Sequence, residues 1–90
     1  MKRIHLIVHG KVQGVFYRDF VRKAAEKLGV KGFVRNLRYG TVEVVAEGDG
    51  PQLKELAKEC NRGSFLSFVE KIDAKEEKAT GEFDEFLIEH

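Results

Sequence analysis

The chain has 90 residues, which is enough for one domain with one hydrophobic core and too few for two. Its hydrophobic content of 42% exceeds that of disordered chains, and no apolar run approaches the roughly 20 residues of a membrane-spanning helix. The 16 Lys and Arg residues nearly balance the 15 Asp and Glu residues, and a net charge of +1 argues against a nucleic-acid-binding module.

Charge content and cysteine usage give two further expectations. Charged residues make up 34% of the chain, with Lys and Glu prominent, which is typical of thermophile proteins and equally of an ordinary solvated surface. Cys60 is the single cysteine, so the chain forms no internal disulfide and no cysteine-based metal cluster. This usage suits a reducing compartment, and no secretory apolar segment follows the basic start. We therefore expect a cytoplasmic protein without membrane contact.

The first part of the chain predicts a strand, a loop and a helix. Residues 4–9 are partly alternating and rich in β-branched side chains, which indicates a strand, and the glycines within residues 10–14 interrupt it. An apolar stripe at helical spacing follows, formed by Phe20, Val21, Ala24, Ala25 and Leu28. Gly29 stands where a left-handed C-terminal cap would end this helix.

Two strands around a tight turn are expected next. Residues 30–38 and 41–48 flank a turn at Tyr39 and Gly40. In the second of these strands, every other residue is apolar, and the residues between them are Glu43, Val45 and Glu47. The alternation predicts one buried face, made of Val42, Val44 and Ala46.

The last part of the chain predicts a helix and two more strands. Pro51 is compatible with the first turn of a helix, and apolar residues at helical spacing continue to Cys60, which we interpret as a core residue rather than a nucleophile. Residues 65–74 predict a strand, residues 75–82 a charged turn and residues 83–89 a final strand. Four aromatic residues are expected in the core or on a sheet face, namely Phe65, Phe68, Phe83 and Phe86.

The predicted order is β-α-β-β-α-β plus a C-terminal strand, in a single domain over residues 1–90. Two helices on one face of an antiparallel sheet give an α+β, ferredoxin-like two-layer sandwich. Because this fold hosts many functions, the function has to be inferred from a site.

The loop between the first strand and the first helix has the features of an anion site. Gly14 lets the backbone adopt dihedrals that other residues avoid, and the N–H groups after it lack partners inside the helix. The positive end of the helix dipole adds to them, and Arg18 can bind two phosphate oxygens at once. No Lys-Ser or Lys-Thr pair follows, so this is not a Walker A loop. On spacing alone, a tight turn with Arg18 paired to a carboxylate such as Asp19 explains the pattern equally well.

Two stretches resemble the signatures of the acylphosphatase family, and the resemblance covers nearly the whole chain. Residues 12–18, Val-Gln-Gly-Val-Phe-Tyr-Arg, are similar to the signature V-Q-G-V-x-F-R. Residues 32–36, Gly-Phe-Val-Arg-Asn, and residues 40–43, Gly-Thr-Val-Glu, are similar to G-x-V-x-N and the G-x-V-E that follows it. The chain departs from the family pattern at three positions. Tyr39 replaces the usual Asp or Asn, Tyr17 replaces the usual Phe, and Ser64 stands where a proline is often found.

The resemblance implies a hydrolase that cleaves the carboxyl–phosphate bond of acyl phosphates to a carboxylate and inorganic phosphate. It implies that Arg18 binds the phosphate and Asn36 positions the attacking water. The backbone amides that bind phosphate are then those of Gly14, Val15, Phe16, Tyr17 and Arg18. No metal or cofactor is implied, because a carboxylate whose conjugate acid has a pKa of roughly 4 leaves without being protonated.

We expect a monomer whose partners are small-molecule acyl phosphates and inorganic phosphate, and not nucleic acid. The side chains of Phe16 and Tyr17 are expected to pack beneath the loop.

Two other classes of protein share the predicted element order. RNA-recognition domains do, and residues 31–34 resemble the start of their base-stacking motif, but that motif belongs on the third strand, where residues 41–48 carry no aromatic. A small-ligand regulatory domain would account for the fold but not for Arg18 and Asn36 together. His5 and His9 share one strand face, and two histidines without a third ligand favour a surface role over a metal site.

Overall fold

The structure, a computed structural model, describes residues 1–90 and contains the predicted elements in the predicted order. These are β1 (Lys2–Lys11), α1 (Tyr17–Leu28), β2 (Lys31–Asn36), β3 (Val42–Gly48), α2 (Gly50–Arg62), β4 (Phe68–Lys78) and β5 (Phe86–Glu89). A short 3-10 turn, Arg38–Gly40, joins β2 to β3. Neither helix is long and apolar enough to cross a membrane.

The five strands form one sheet in the order β4-β1-β3-β2-β5, and the two helices cover one face of it, which confirms the ferredoxin-like α+β class. The expectation of a wholly antiparallel sheet needs one correction, because β5 pairs with β2 in parallel. The other three pairings are antiparallel. The chain leaves β4 at one end of the sheet and crosses that end to the opposite edge. It must then run back in the direction opposite to β4, which is the direction of β2.

The core lies between the sheet and the helices and follows the predicted periodicities. Val42, Val44 and Ala46 are fully buried, as the alternation in β3 predicts. Leu56 and Cys60 of α2 belong to the same core cluster, and burial raises the pKa of the Cys60 thiol to about 12. Burial of an aliphatic side chain such as Val44 or Leu56 contributes roughly 1.5–3 kcal/mol to the free energy of folding through the hydrophobic effect.

The fourth strand lies further along the chain than the sequence predicts. It begins at Phe68 rather than at residue 65, and residues 75–78, predicted as a charged turn, continue the strand by pairing with β1. Phe65 is 99% exposed and Phe68 is 65% exposed, so the prediction that both are core or sheet-face aromatics is wrong for Phe65. Charged side chains are tolerated here because β4 is an edge strand with solvent on its outer side.

Three connections and the C-terminus meet at one end of the sheet, which we call the site end. Strands β1 and β2 both run antiparallel to β3, so both finish at this end, and β5 finishes there too because it is parallel to β2. The site end therefore contains residues 12–16, the β2–β3 turn, residues 63–67 and His90. The topology alone brings together segments that are far apart in the sequence.

The β2–β3 turn holds Tyr39 in a left-handed conformation. Its φ is 65°, and its side chain is 97% exposed. A left-handed residue other than Gly, Asn or Asp is destabilising by roughly 1–2 kcal/mol, and an exposed ring recovers none of that through packing. The departure from the usual Asp or Asn therefore leaves the turn intact but strained.

We expect Tyr39→Asn to stabilise the protein by about 0.5–1 kcal/mol, because Asn adopts left-handed dihedrals more readily than Tyr. For a domain of this size that raises Tm by a few degrees, which thermal unfolding measures directly. Tyr39→Phe keeps the strain and should leave Tm unchanged. A Tm for Tyr39→Asn at or below that of Tyr39→Phe would contradict this account.

At the opposite end of the sheet, a buried carboxylate anchors the connection that leads to β5. Glu47 accepts hydrogen bonds from Arg3 Nε at 2.8 Å, from the Thr80 N–H at 2.9 Å and from the Gly81 N–H at 3.0 Å. We call these four residues the clasp. Burial opposes ionisation of Glu47, but the Thr80 amide, Arg3 and the Gly81 amide together hold the pKa of this carboxyl below its usual value.

Because the folded-state pKa of Glu47 is depressed, its contribution to stability is present above the unfolded value of about 4.5 and is lost as pH falls through the folded pKa. We expect Glu47→Gln to lower the free energy of unfolding at pH 7 by about 2–4 kcal/mol, because the negative charge is lost and an amide NH2 then faces either Arg3 or the Gly81 N–H. Urea denaturation should show this difference shrinking below about pH 4.5. Glu76→Gln removes a carboxylate that is mostly exposed and should change stability little at any pH. A Glu47→Gln deficit that is the same at pH 7 and pH 3 would refute the electrostatic role.

Candidate functional site

The loop that follows β1, residues 12–16, leaves backbone donors unused at the site end; we call it the cradle loop. Gly14 and Phe16 are left-handed, with φ of 72° and 61°. The Phe16 carbonyl accepts the first helical hydrogen bond, from the Phe20 N–H at 3.1 Å, so the turn leads directly into α1. The backbone N–H groups of residues 14–18 make no hydrogen bond within the protein. These donors and the positive end of α1 form a concentrated partial positive charge, which suits an anion.

Two side chains fix the cradle loop to its neighbours. Gln13 Nε2 donates to the carbonyls of Leu37 and Thr41, both at 2.8 Å, and so ties the loop to the β2–β3 turn. Ser64 Oγ donates to the Val15 carbonyl at 3.1 Å from the other side. Sequence reasoning assigned neither residue a role. The role of Gln13 could have been inferred from its place in the first signature. No sequence feature indicated a role for Ser64, which stands where a proline is often found.

Arg18, the second residue of α1, carries a charge that no carboxylate compensates. Its Nη1 donates to the Glu89 carbonyl at 3.1 Å and lies 3.3 Å from His90 Nδ1. The alternative in which Arg18 pairs with Asp19 is wrong, because the Asp19 carboxylate is engaged by Arg22 at 2.9 Å and by Lys23. The hydrogen bond from Arg22 and, to a smaller extent, that from Lys23 lower the pKa of Asp19.

A cavity of about 380 Å³ opens between the cradle loop, the start of α1 and the end of β5. Its charged and polar wall contains Arg18, His90 and Asp19, whose carboxylate is already paired with two basic side chains of α1. Much of its apolar wall is formed by Val12, Phe16 and Ile88. Its size falls within the range of roughly 300–1,000 Å³ that is typical of small-molecule sites. The cavity therefore combines an anion site with apolar surface.

Asn36, the last residue of β2, lies at the site end with an exposed side chain that makes no hydrogen bond within the protein. The preceding residue, Arg35, is opposite Glu89 in the β2–β5 register, and Glu89 is the residue whose carbonyl holds Arg18. Arg35 is itself fixed, since its Nε donates to Glu43 at 2.6 Å. The end of β5 thus connects the two predicted catalytic residues, although Asn36 does not line the cavity.

The two aromatic residues of the first signature behave differently. Tyr17 is buried, as predicted, and its hydroxyl donates to the Cys60 carbonyl at 2.8 Å, which ties α1 to α2. Burial raises the pKa of this phenol far above its ordinary value. Phe16 is 76% exposed, so the prediction that it packs beneath the loop is wrong.

Each strand histidine contacts a carboxylate on a neighbouring strand. His5 Nε2 lies 2.6 Å from Glu43, and His9 Nε2 lies 2.8 Å from Asp73. No three His, Cys, Asp or Glu side chains of the 90 residues gather into a potential metal site. Glu43, the last residue of the second signature, thus pairs with Arg35 and His5 across three strands.

Comparison with known proteins agrees with this geometry. The family model for acylphosphatase matches residues 4–88. The acylphosphatase of Syntrophus aciditrophicus is 51% identical over 88 residues, which cover 98% of this chain and 92% of that protein. The acylphosphatase of Methylococcus capsulatus is 48% identical, with 98% and 96% covered. The crystal structure of acylphosphatase from Bacillus subtilis superposes with a TM-score of 0.96 at 34% identity and covers 100% of both chains. The chain therefore belongs to the acylphosphatase family and is a hydrolase of acyl phosphates.

Proposed function

We propose that this enzyme holds the phosphate of its substrate between the free amides of residues 14–18 and the Arg18 guanidinium, while Asn36 positions the attacking water. The observation that carries the proposal is the uncompensated charge of Arg18, whose Nη1 is held by a neutral carbonyl, beside unpaired N–H groups. A dianion placed there gains charge-assisted hydrogen bonds without first displacing a carboxylate.

The reaction requires few protein groups because the leaving group is stable. Water attacks phosphorus in line with the departing carboxylate, the P–O bond to the acyl group breaks, and inorganic phosphate forms. A carboxylate departs without an acid, since its conjugate acid has a pKa of roughly 4. The remaining barrier is charge on the phosphoryl oxygens and the positioning of water, which an arginine, loop amides and a side-chain amide can each lower.

Asn36 suits the positioning of water better than general-base catalysis. Its side-chain amide has an acceptor oxygen and a donor NH2 but does not accept a proton near neutral pH. The ladder with β3, the parallel pairing of β5 and the Arg35–Glu43 ion pair fix the end of β2, so the amide is presented from a rigid strand. The water's proton then passes to the phosphate or to solvent.

We also propose that the enzyme is a cytoplasmic monomer that does not bind nucleic acid. The outer edge strand β4 carries charged residues along its length and β5 has only four residues, so neither edge favours pairing with another chain. Strand β3 offers no aromatic for base stacking. Cys60 is a buried free thiol, which fits a reducing compartment.

We expect Arg18→Gln to reduce kcat/KM for benzoyl phosphate by about 10³-fold, because Gln supplies neither charge nor a bidentate donor pair. Competitive inhibition by inorganic phosphate should weaken in parallel. Both kcat/KM and the inhibition constant of phosphate are measured in a buffer that contains a chelator, so that turnover does not depend on added metal. Arg38→Gln removes an exposed charge from the same end of the molecule and serves as the control. Equal losses in the two variants would indicate a general electrostatic effect rather than a phosphate clamp.

Asn36→Ala should lower kcat by about 10²-fold or more while the inhibition constant of inorganic phosphate changes little, because this amide acts on water rather than on phosphate. Steady-state kinetics with phosphate as inhibitor separate the two effects. Asn61→Ala, at an exposed asparagine in the last turn of α2, provides a matched control. An Asn36→Ala variant that keeps most of its turnover would overturn the assigned role.

A further inference from the structure

We infer that Phe16 is a specificity-determining residue that favours acyl phosphates with an apolar, above all aromatic, acyl group. The inference rests on the proposed function, since it takes the phosphate to be bound by the cradle loop and Arg18. It assigns the apolar part of the cavity to the acyl group.

The in-line reaction determines on which side of the phosphate the acyl group lies. Attacking water and leaving carboxylate occupy opposite sides of phosphorus. Asn36, which positions the water, does not line the cavity, whereas Phe16, Val12 and Ile88 do. The cavity is therefore on the leaving-group side, and the acyl group extends into it.

Among the apolar residues of this wall, Phe16 has the most surface to offer. Val12 and Tyr17 are each 1% exposed, whereas Phe16 is 76% exposed. An exposed aromatic residue is unremarkable by itself, but this one borders a cavity that also contains an arginine. An acyl group that contacts the ring removes apolar surface from water on both sides, and an aromatic acyl group adds the preference of rings for one another.

The backbone of Phe16 is held firmly enough for its side chain to discriminate between substrates. Its carbonyl starts the hydrogen-bond ladder of α1, and the Val15 carbonyl beside it accepts from Ser64. The φ of Phe16 is 61°, and its side chain lies largely in solvent rather than in the core. Phe16 also occupies the unrestricted position of the signature V-Q-G-V-x-F-R, so the signature itself assigns this side chain no role.

The test compares kcat/KM for benzoyl phosphate with kcat/KM for acetyl phosphate in the wild type and in Phe16→Asn. Asn tolerates left-handed dihedrals, so this substitution removes the ring without adding strain to the cradle loop. The measured quantity is the benzoyl-to-acetyl ratio, because a change in phosphate binding acts on both substrates and cancels. We expect this ratio to fall about 5-fold, the size of one favourable aromatic contact. Phe16→Ala provides a second measurement and should reduce the ratio similarly.

Phe65→Ala is the matched control, because Phe65 is also a highly exposed phenylalanine but does not line the cavity. It should leave the ratio unchanged. A ratio that stays at the wild-type value in both Phe16 variants, whatever happens to the individual rates, would overturn the inference. An Arg18→Gln variant that keeps the wild-type kcat/KM for both substrates would instead refute the proposed phosphate site, so the two failures are distinguishable.

Discussion

The site depends on a hydrogen bond between a charged donor and a neutral acceptor. Arg18 Nη1 donates to the backbone carbonyl of Glu89, which orients the guanidinium without neutralising it. A carboxylate in that place would hold the side chain more strongly but would compete with the phosphate for the same charge. The nearest acidic residue in the sequence, Asp19, is removed from competition by Arg22 and Lys23. The charge of Arg18 is thereby left without a carboxylate partner, as the proposed phosphate site requires.

That hydrogen bond requires β5 to reach the site end, and the rest of the sheet explains how it does. The segment between β4 and β5 crosses the far end of the sheet, where Glu47 accepts the amides of Thr80 and Gly81 and the guanidinium of Arg3. From this clasp the chain returns parallel to β2 and ends against Arg18. A buried ion pair thus anchors the path of a strand whose last carbonyl orients Arg18 at the opposite end of the sheet.

The element order and the buried faces could be predicted because both follow from local periodicity, as the alternation around Val44 shows. The direction of β5 and the extension of β4 through residues 75–78 could not, since both depend on pairing with distant strands. The family signatures predicted Arg18 and Asn36 as the catalytic residues. They could not show that Arg18 lacks a carboxylate partner, because its acceptor is a backbone carbonyl 71 residues away and has no side-chain signature. Nor could a pattern tell that Phe16, unlike Tyr17, points outwards.

The two ends of the sheet have opposite requirements. The clasp end satisfies its buried carboxylate with three donors, whereas the site end leaves five consecutive N–H groups without partners and holds Phe16 and Tyr39 left-handed. Unpaired donors and left-handed residues destabilise a fold, and they persist where the surrounding structure enforces them. Gln13 and Ser64 provide that enforcement from either side of the cradle loop. An anion would supply the acceptors that the fold omits, so under the proposed function the groups that weaken the free protein are those that bind the phosphate.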